Sequence, residues 1–314
     1  MKNLTKRIHL LYLLAAPIVA LITATLRTVA LLTQYEPDIG RYASGTLSYA
    51  VAGILVAVSV ALVILTHELR ELFVAVPDYR ELSGLFSGVF TAIALAFFAV
   101  TFPFDMAGQL PFILFMAVLA SLLALSGACL FAYRAFRPDA IGGAPAMLAL
   151  PLSLLALPVA MALSFTTTLR IADPTVSMAT VALVAVAFFF LGEARIALGR
   201  AKWALHTCMT VLAAIAAATH ALPNLIYHAV RGNALLNNTA LDFVMLGFFL
   251  YTLSRLVATY AAAQREQRDA TRVAMGTYVP QTTEAPKAPE AEEVPAPTPA
   301  TEPEESTDEE DTDR

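Results

Sequence analysis

Five ionisable side chains stand near the ends of long apolar runs, where a charge is costly enough to need a reason: Arg27, Asp105, Arg170, His220 and Asp242. A guanidinium binds carboxylate or phosphate through parallel N–H donors, and an imidazole can change charge near neutral pH. With Gln34, Tyr35, Gln109, Asn224, Asn237 and Asn238 close by in sequence, they predict a polar vestibule facing one side of a membrane. Arg27 and Arg170 would supply positive charge there, with Asp105 and Asp242 pairing to them. Its natural guest is a small anionic or zwitterionic solute. The competing explanation is snorkelling, in which long side chains reach the headgroups and merely anchor their helices.

Other chemistries find no footing. His67-Glu68-Leu69-Arg70-Glu71 begins like a zinc-protease helix but lacks the second histidine. There is no nucleophile elbow, phosphate-cradling glycine loop or CxxC pair. Cys129 and Cys208 are isolated in apolar runs and read as small buried hydrophobes. No metal or cofactor is expected, and no enzyme. The basic stripe with interleaved aromatics that nucleic acid requires is missing too.

The elements that must position these groups are membrane helices. The 314 residues are 58% hydrophobic and 14% charged, against roughly 45–50% and 25% in soluble domains. A span needs about 20 apolar residues to cross ~30 Å of hydrocarbon, and its amides must be bonded internally, so apolar runs of that length become helices. Eight such runs predict an all-α integral membrane fold: 8–32, 46–66, 84–102, 110–133, 147–169, 175–191, 203–222 and 239–260. Turn chemistry is expected to separate them at Glu36-Pro37-Asp38, Pro103-Phe104-Asp105, Pro138-Asp139, Asp173-Pro174 and Pro223-Asn224. The first run continues well past a plausible signal cleavage near Ala24, so it reads as a retained span.

With the N-terminus inside, sixteen Lys/Arg fall on the inner side and four on the outer: Arg27, Arg41, Arg170 and Arg231. The positive-inside rule then predicts a plasma-membrane protein with both termini cytoplasmic. On this orientation the outer helix ends are polar, the deep inner half is almost without ionisable groups, and His206 lies at the interface.

Residues 1–262 form the predicted bundle, 263–279 a basic juxtamembrane helix extension, and 280–314 a tail. The stretch 281–314 carries twelve acids against Lys287 and Arg314. It is proline-rich and almost without large apolar residues, which predicts disorder. Such a tail could dock a basic cytosolic partner.

The two halves also echo each other. The first run ends Thr23-Ala24-Thr25-Leu26-Arg27 and the fifth ends Thr166-Thr167-Thr168-Leu169-Arg170. Pro17 and Pro158 occupy similar places within them. That is the pattern of a parallel 4+4 repeat, whose interface is where transporters bind substrate. Two functions follow as expectations. One is a permease-like transporter of a small solute. The other is a non-enzymatic membrane scaffold, assembly factor or sensor that recruits partners through its tail.

Overall fold

The structure is a computed structural model, and it describes residues 2–37, 40–73, 83–108, 110–137, 174–232 and 239–274. Residues Met1–Thr271 form one compact unit and Arg272–Arg314 a second. Among the described residues, seven helices are long and apolar enough to cross a membrane. They are α1 (Lys2–Gln34), α2 (Thr46–Glu68), α3 (Ser83–Asp105), α4 (Pro111–Phe136), α5 (Pro174–Ala197), α6 (Trp203–Arg231) and α7 (Thr239–Ala274). A small hairpin joins α1 to α2, with β1 (Tyr35–Glu36) antiparallel to β2 (Arg41–Tyr42). A single 3-10 turn, Arg70–Leu72, follows α2.

Seven of the eight apolar runs coincide with these helices. The run 147–169 lies outside the described residues, as do Pro158, Arg170 and the acidic tail. Two expected turns are corrected. Pro103 and Pro223 do not end their helices; α3 continues to Asp105 and α6 to Arg231. A membrane helix tolerates proline where neighbouring groups satisfy the carbonyl it releases, and for Pro223 such a group is identified below.

Contacts fix the course of the chain. Tyr12 near the start of α1 hydrogen-bonds Thr66 near the end of α2 at 2.7 Å. Ser87 near the start of α3 meets Ser254, far along α7, at 3.1 Å. The start of α1 therefore marks one end of the bundle, called here the basic end after Lys6 and Arg7. Helices α4 and α5 both finish at that end, since Phe131 packs on Phe190 and Arg134 bonds Glu193.

Lipid-like surroundings offer helices no hydrophobic drive to associate, so close packing of small side chains must do it. Helix α4 presents Ala117, Ala120, Ser121, Ala124 and Ala128 as one buried stripe. Helix α6 is lined with alanines from Ala213 to Ala221 and is the most enclosed helix, 72% buried over its apolar window against 17% for α2. Helix α7 approaches α3 at Gly247, where an added Cβ would stand 3.0 Å from the Thr91 Cα. The aromatic core of Phe131, Phe189, Phe190 and Phe248 fills the space among α4, α5 and α7. Large residues such as Leu21, Phe86, Phe112 and Phe115 face outward. Helix α6 is thus the central post, and α2 a peripheral one.

Candidate functional site

The polar residues of the bundle gather in two layers, one toward each end. The layer away from the basic end grows from Pro223. Proline has no N–H, so the Thr219 carbonyl four residues earlier loses its helical donor. Arg27 of α1 supplies one: its Nη1 donates to the Thr219 carbonyl at 2.7 Å and to that of His220 at 3.0 Å. The Thr23 and Thr219 hydroxyls lie 2.6 Å apart just below. On the other side of α6, the His220 Nε2 stands 3.1 Å from Asp242 Oδ1, and Asn224 Nδ2 donates to the same oxygen at 2.9 Å. Asp242 sits in the first turn of α7, where the helix macrodipole favours a negative charge.

Three of the five predicted residues are thereby brought together. Arg27, His220 and Asp242 form one layer, and each is at most 5% exposed. Asp105 is exposed at the end of α3. Arg170 lies outside the described residues. Asn224 joins the layer directly, so a polar group noted only as a neighbour in sequence becomes a partner in space.

Arg27 also faces a cleft. A space of about 530 Å³ opens between α1, α2 and α5 and includes Arg27, Tyr42, Ser48, Ser59 and Ser177 in its lining. The rest of the described wall is apolar, with Val51, Leu55 and Val181 prominent. A second space of about 410 Å³ adjoins it, sharing Leu55, Ser59 and Val181 and reaching Met209, Leu212 and Ile215 of α6. Together they make a groove between α2 and α5 that runs from the arginine toward the middle of the bundle.

The second layer lies at the basic end and was not anticipated. Glu193 of α5 is 3% exposed at its side chain. Its Oε2 accepts from Arg134 Nη2 of α4 at 3.0 Å and from Arg255 Nη2 of α7 at 3.5 Å. Its Oε1 stands 3.3 Å from His206 Nε2 of α6. Arg255 also donates to the Tyr251 hydroxyl at 2.7 Å, and both guanidiniums lie over the Tyr251 ring, at 5.9 and 5.0 Å from its centroid. His206 stacks on Phe189 at 5.5 Å. The expectation of an interfacial His206 is corrected: it is buried, because α5 closes over it with Phe189 and Glu193. Gly192 permits this, since a Cβ there would fall 2.5 Å from the His206 Nδ1.

The two layers differ chemically. In the Glu193 layer one carboxylate faces two guanidiniums, which do not deprotonate in proteins, and the ring of His206. In the Asp242 layer one carboxylate faces a histidine and an asparagine. Among the described residues, no group of three or more His, Cys, Asp or Glu side chains could hold a metal ion. Compared with known family models, curated proteins and solved structures, the chain shows no match.

Proposed function

We propose that the protein is a permease-like carrier of a small anion with an apolar body, a short-chain carboxylate being the type case. The observation that carries this reading is Arg27 in the wall of the groove between α2 and α5. One guanidinium can neutralise a carboxylate, and valines and leucines on the same wall suit an aliphatic chain better than a sugar or a zwitterion. Ligand sites of about 300–1,000 Å³ with an apolar lining and a few placed polar groups are typical for small molecules. The groove falls within that range.

An eight-span bundle suits a carrier. The apolar run 147–169 lies outside the described residues, and by length and composition it is suited to an eighth span between α4 and α5. With eight spans and the N-terminus inside, the sequence assigns sixteen of twenty Lys/Arg to the inner side. This favours a plasma-membrane protein with both termini and the acidic tail in the cytoplasm. The groove then faces outward.

The test is uptake of labelled hexanoate into vesicles carrying the full chain. Arg27→Met removes a charge-assisted contact worth about 1.5–3 kcal/mol, so uptake at low concentration should fall between tenfold and a hundredfold. Ser59→Phe should fill the groove where its two parts meet and abolish uptake without touching Arg27. Uptake by both variants at the wild-type rate, or none by the wild type, would sink the proposal.

A further inference from the structure

We infer that the carried anion is a long single-chain carboxylate of the fatty-acid type, which enters sideways from the bilayer and lies along the groove with its head where Arg27, Ser48 and Ser177 stand. The inference rests on the carrier reading above and names the substrate class of the same site.

The groove changes chemistry along its length. Its first part includes Arg27, Tyr42, Ser48 and Ser177 in the lining. Among the described residues, the hydroxyls of Ser48 and Ser177 meet no hydrogen-bond partner, so each has a proton to donate to a carboxylate. The described wall of the second part offers no such group. Its two hydroxyls, Ser59 and Thr180, turn back to their own helices, donating to the Leu55 carbonyl at 2.7 Å and the Val176 carbonyl at 3.0 Å. Val184, Phe188, Met209 and Leu212 make up much of the rest. A polar solute reaching that far would leave its own polar groups unsatisfied, whereas an alkyl chain needs no partner there.

The length of the groove fits one acyl chain. Its wall runs from Ser48 to Val60 on α2 and from Ser177 to Phe188 on α5, which is about 17–18 Å along the helices. One leaflet of a bilayer with ~30 Å of hydrocarbon is about 15 Å deep. Hexanoate fills only the first part. A zigzag chain of ~1.5 Å bonds advances ~1.3 Å per carbon, so about twelve carbons occupy both parts. The two parts lie end to end and share Leu55, Ser59 and Val181. That is a track for one chain, where a two-chain phospholipid needs two.

Both lips of the groove are open along this length. Val56 and Val60 of α2, and Val181, Val184 and Phe188 of α5, are each at least half exposed. The floor is closed, because Ile215 and Ala216 of α6 are buried. At spanning depth the surroundings of such lips are hydrocarbon. An alkyl chain slides in from the side without leaving an apolar medium, so its entry costs no dehydration. Selection between chains then falls to the head, at the end of the groove where the hydroxyls of Ser48 and Ser177 stand beside Arg27.

The measurement is photolabelling of the full chain in lipid nanodiscs by dodecanoate carrying a diazirine beside its terminal methyl group, with the labelled residues mapped by mass spectrometry. Label should fall on Phe188, Met209 or Leu212. Excess unlabelled dodecanoate should displace it, and excess dodecanol, which lacks the carboxylate, should not. Val184→Phe fills the second part of the groove and should lose the label. Thr180→Phe, at another exposed position in that wall, should lose it too, which covers the case in which the first variant does not fold; a cooperative thermal melt shows which variants are folded. Label spread alike over outward-facing residues such as Leu21 and Phe115, and not displaced by dodecanoate, would overturn the inference and leave a carrier of smaller anions standing. Displaceable label that persists in the folded variants would overturn the course of the chain through the second part. Displaceable label in a wild type that takes up no hexanoate into vesicles would overturn the carrier reading, and with it dodecanoate as cargo.

Discussion

Replacing Glu193 by glutamine should destabilise the bundle more than most other single polar substitutions in it. Glutamine keeps the volume and one acceptor oxygen but deletes the charge between Arg134 and Arg255. In the wild type, Oε2 lies 3.0 Å from one guanidinium and 3.5 Å from the other. Both arginine side chains are largely enclosed, at 12% and 5% exposure. A pair of unit charges about 4 Å apart interacts by roughly 4 kcal/mol at an effective dielectric of 20. Removing one partner of a buried pair costs about 3–5 kcal/mol, because the remaining charge stays desolvated. Here two like charges are left behind, so the upper part of that range applies. At roughly 2–4 °C per kcal/mol for a chain of this size class, Glu193→Gln should melt about 10 °C below wild type. The single tryptophan is a built-in reporter, since Trp203 packs edge-on to His206 at 6.4 Å. Thermal unfolding in nanodiscs followed by its fluorescence would show the shift. A companion variant with Glu193, Arg134 and Arg255 all changed to Met should recover most of the loss, because a well-packed apolar replacement avoids the desolvation cost. A Glu193→Gln protein melting within a degree or two of wild type would refute the reasoning.

Two further outcomes follow from close approaches in the bundle. Gly247→Ala places a Cβ 3.0 Å from the Thr91 Cα, which is backbone and cannot swing aside; α3 and α7 must part, lowering stability by about 1–3 kcal/mol in the same melt. Pro223→Ala returns an N–H to the Thr219 carbonyl, so Arg27→Met should cost less in that background than in the wild type, with a coupling of about 1 kcal/mol in the double-mutant cycle; strictly additive effects would show that Arg27 does not serve the carbonyl freed by Pro223.

Much of this architecture is legible in the chain because lipid leaves little choice. An apolar run of about 20 residues must become a helix, and runs such as 46–66 and 239–260 start at the first residues of α2 and α7. Helix ends are less legible where proline is involved. Pro223 and Pro103 resemble stops, and whether a helix passes through depends on a donor from elsewhere in the fold, which for Pro223 is Arg27, 196 residues away in sequence. The polar layer containing Arg27, His220 and Asp242 could be found because its members sit conspicuously at span ends. The layer around Glu193 could not. Arg134, Glu193, His206 and Arg255 each look like solvated flanking charges, since hydropathy averages over a window and cannot tell a helix end in water from one covered by a neighbour. A usable signal was present in Glu193, a lone acid one turn past Phe189 and Phe190. The Gly192 before it, with space for a ring, was another.

The two layers also assign different mechanical parts to the two ends. His206 and His220 are fourteen residues apart on α6, about 21 Å along its axis and nearly on one face. At the basic end, four helices meet on the fixed charges around Glu193. Helix α2 is tied there as well, through the Tyr12–Thr66 hydrogen bond and through Phe73, whose ring lies edge-on to both His9 and Tyr12 at 5.4 Å. Toward the other end α2 is separated from α5 by the groove, and it is the least buried of the seven helices. A displacement of α2 about its basic end would therefore disturb few close contacts, whereas a displacement of α6 would break both layers. Among the described helices, α2 is therefore the one held mainly at a single end, and α6 the one held at both.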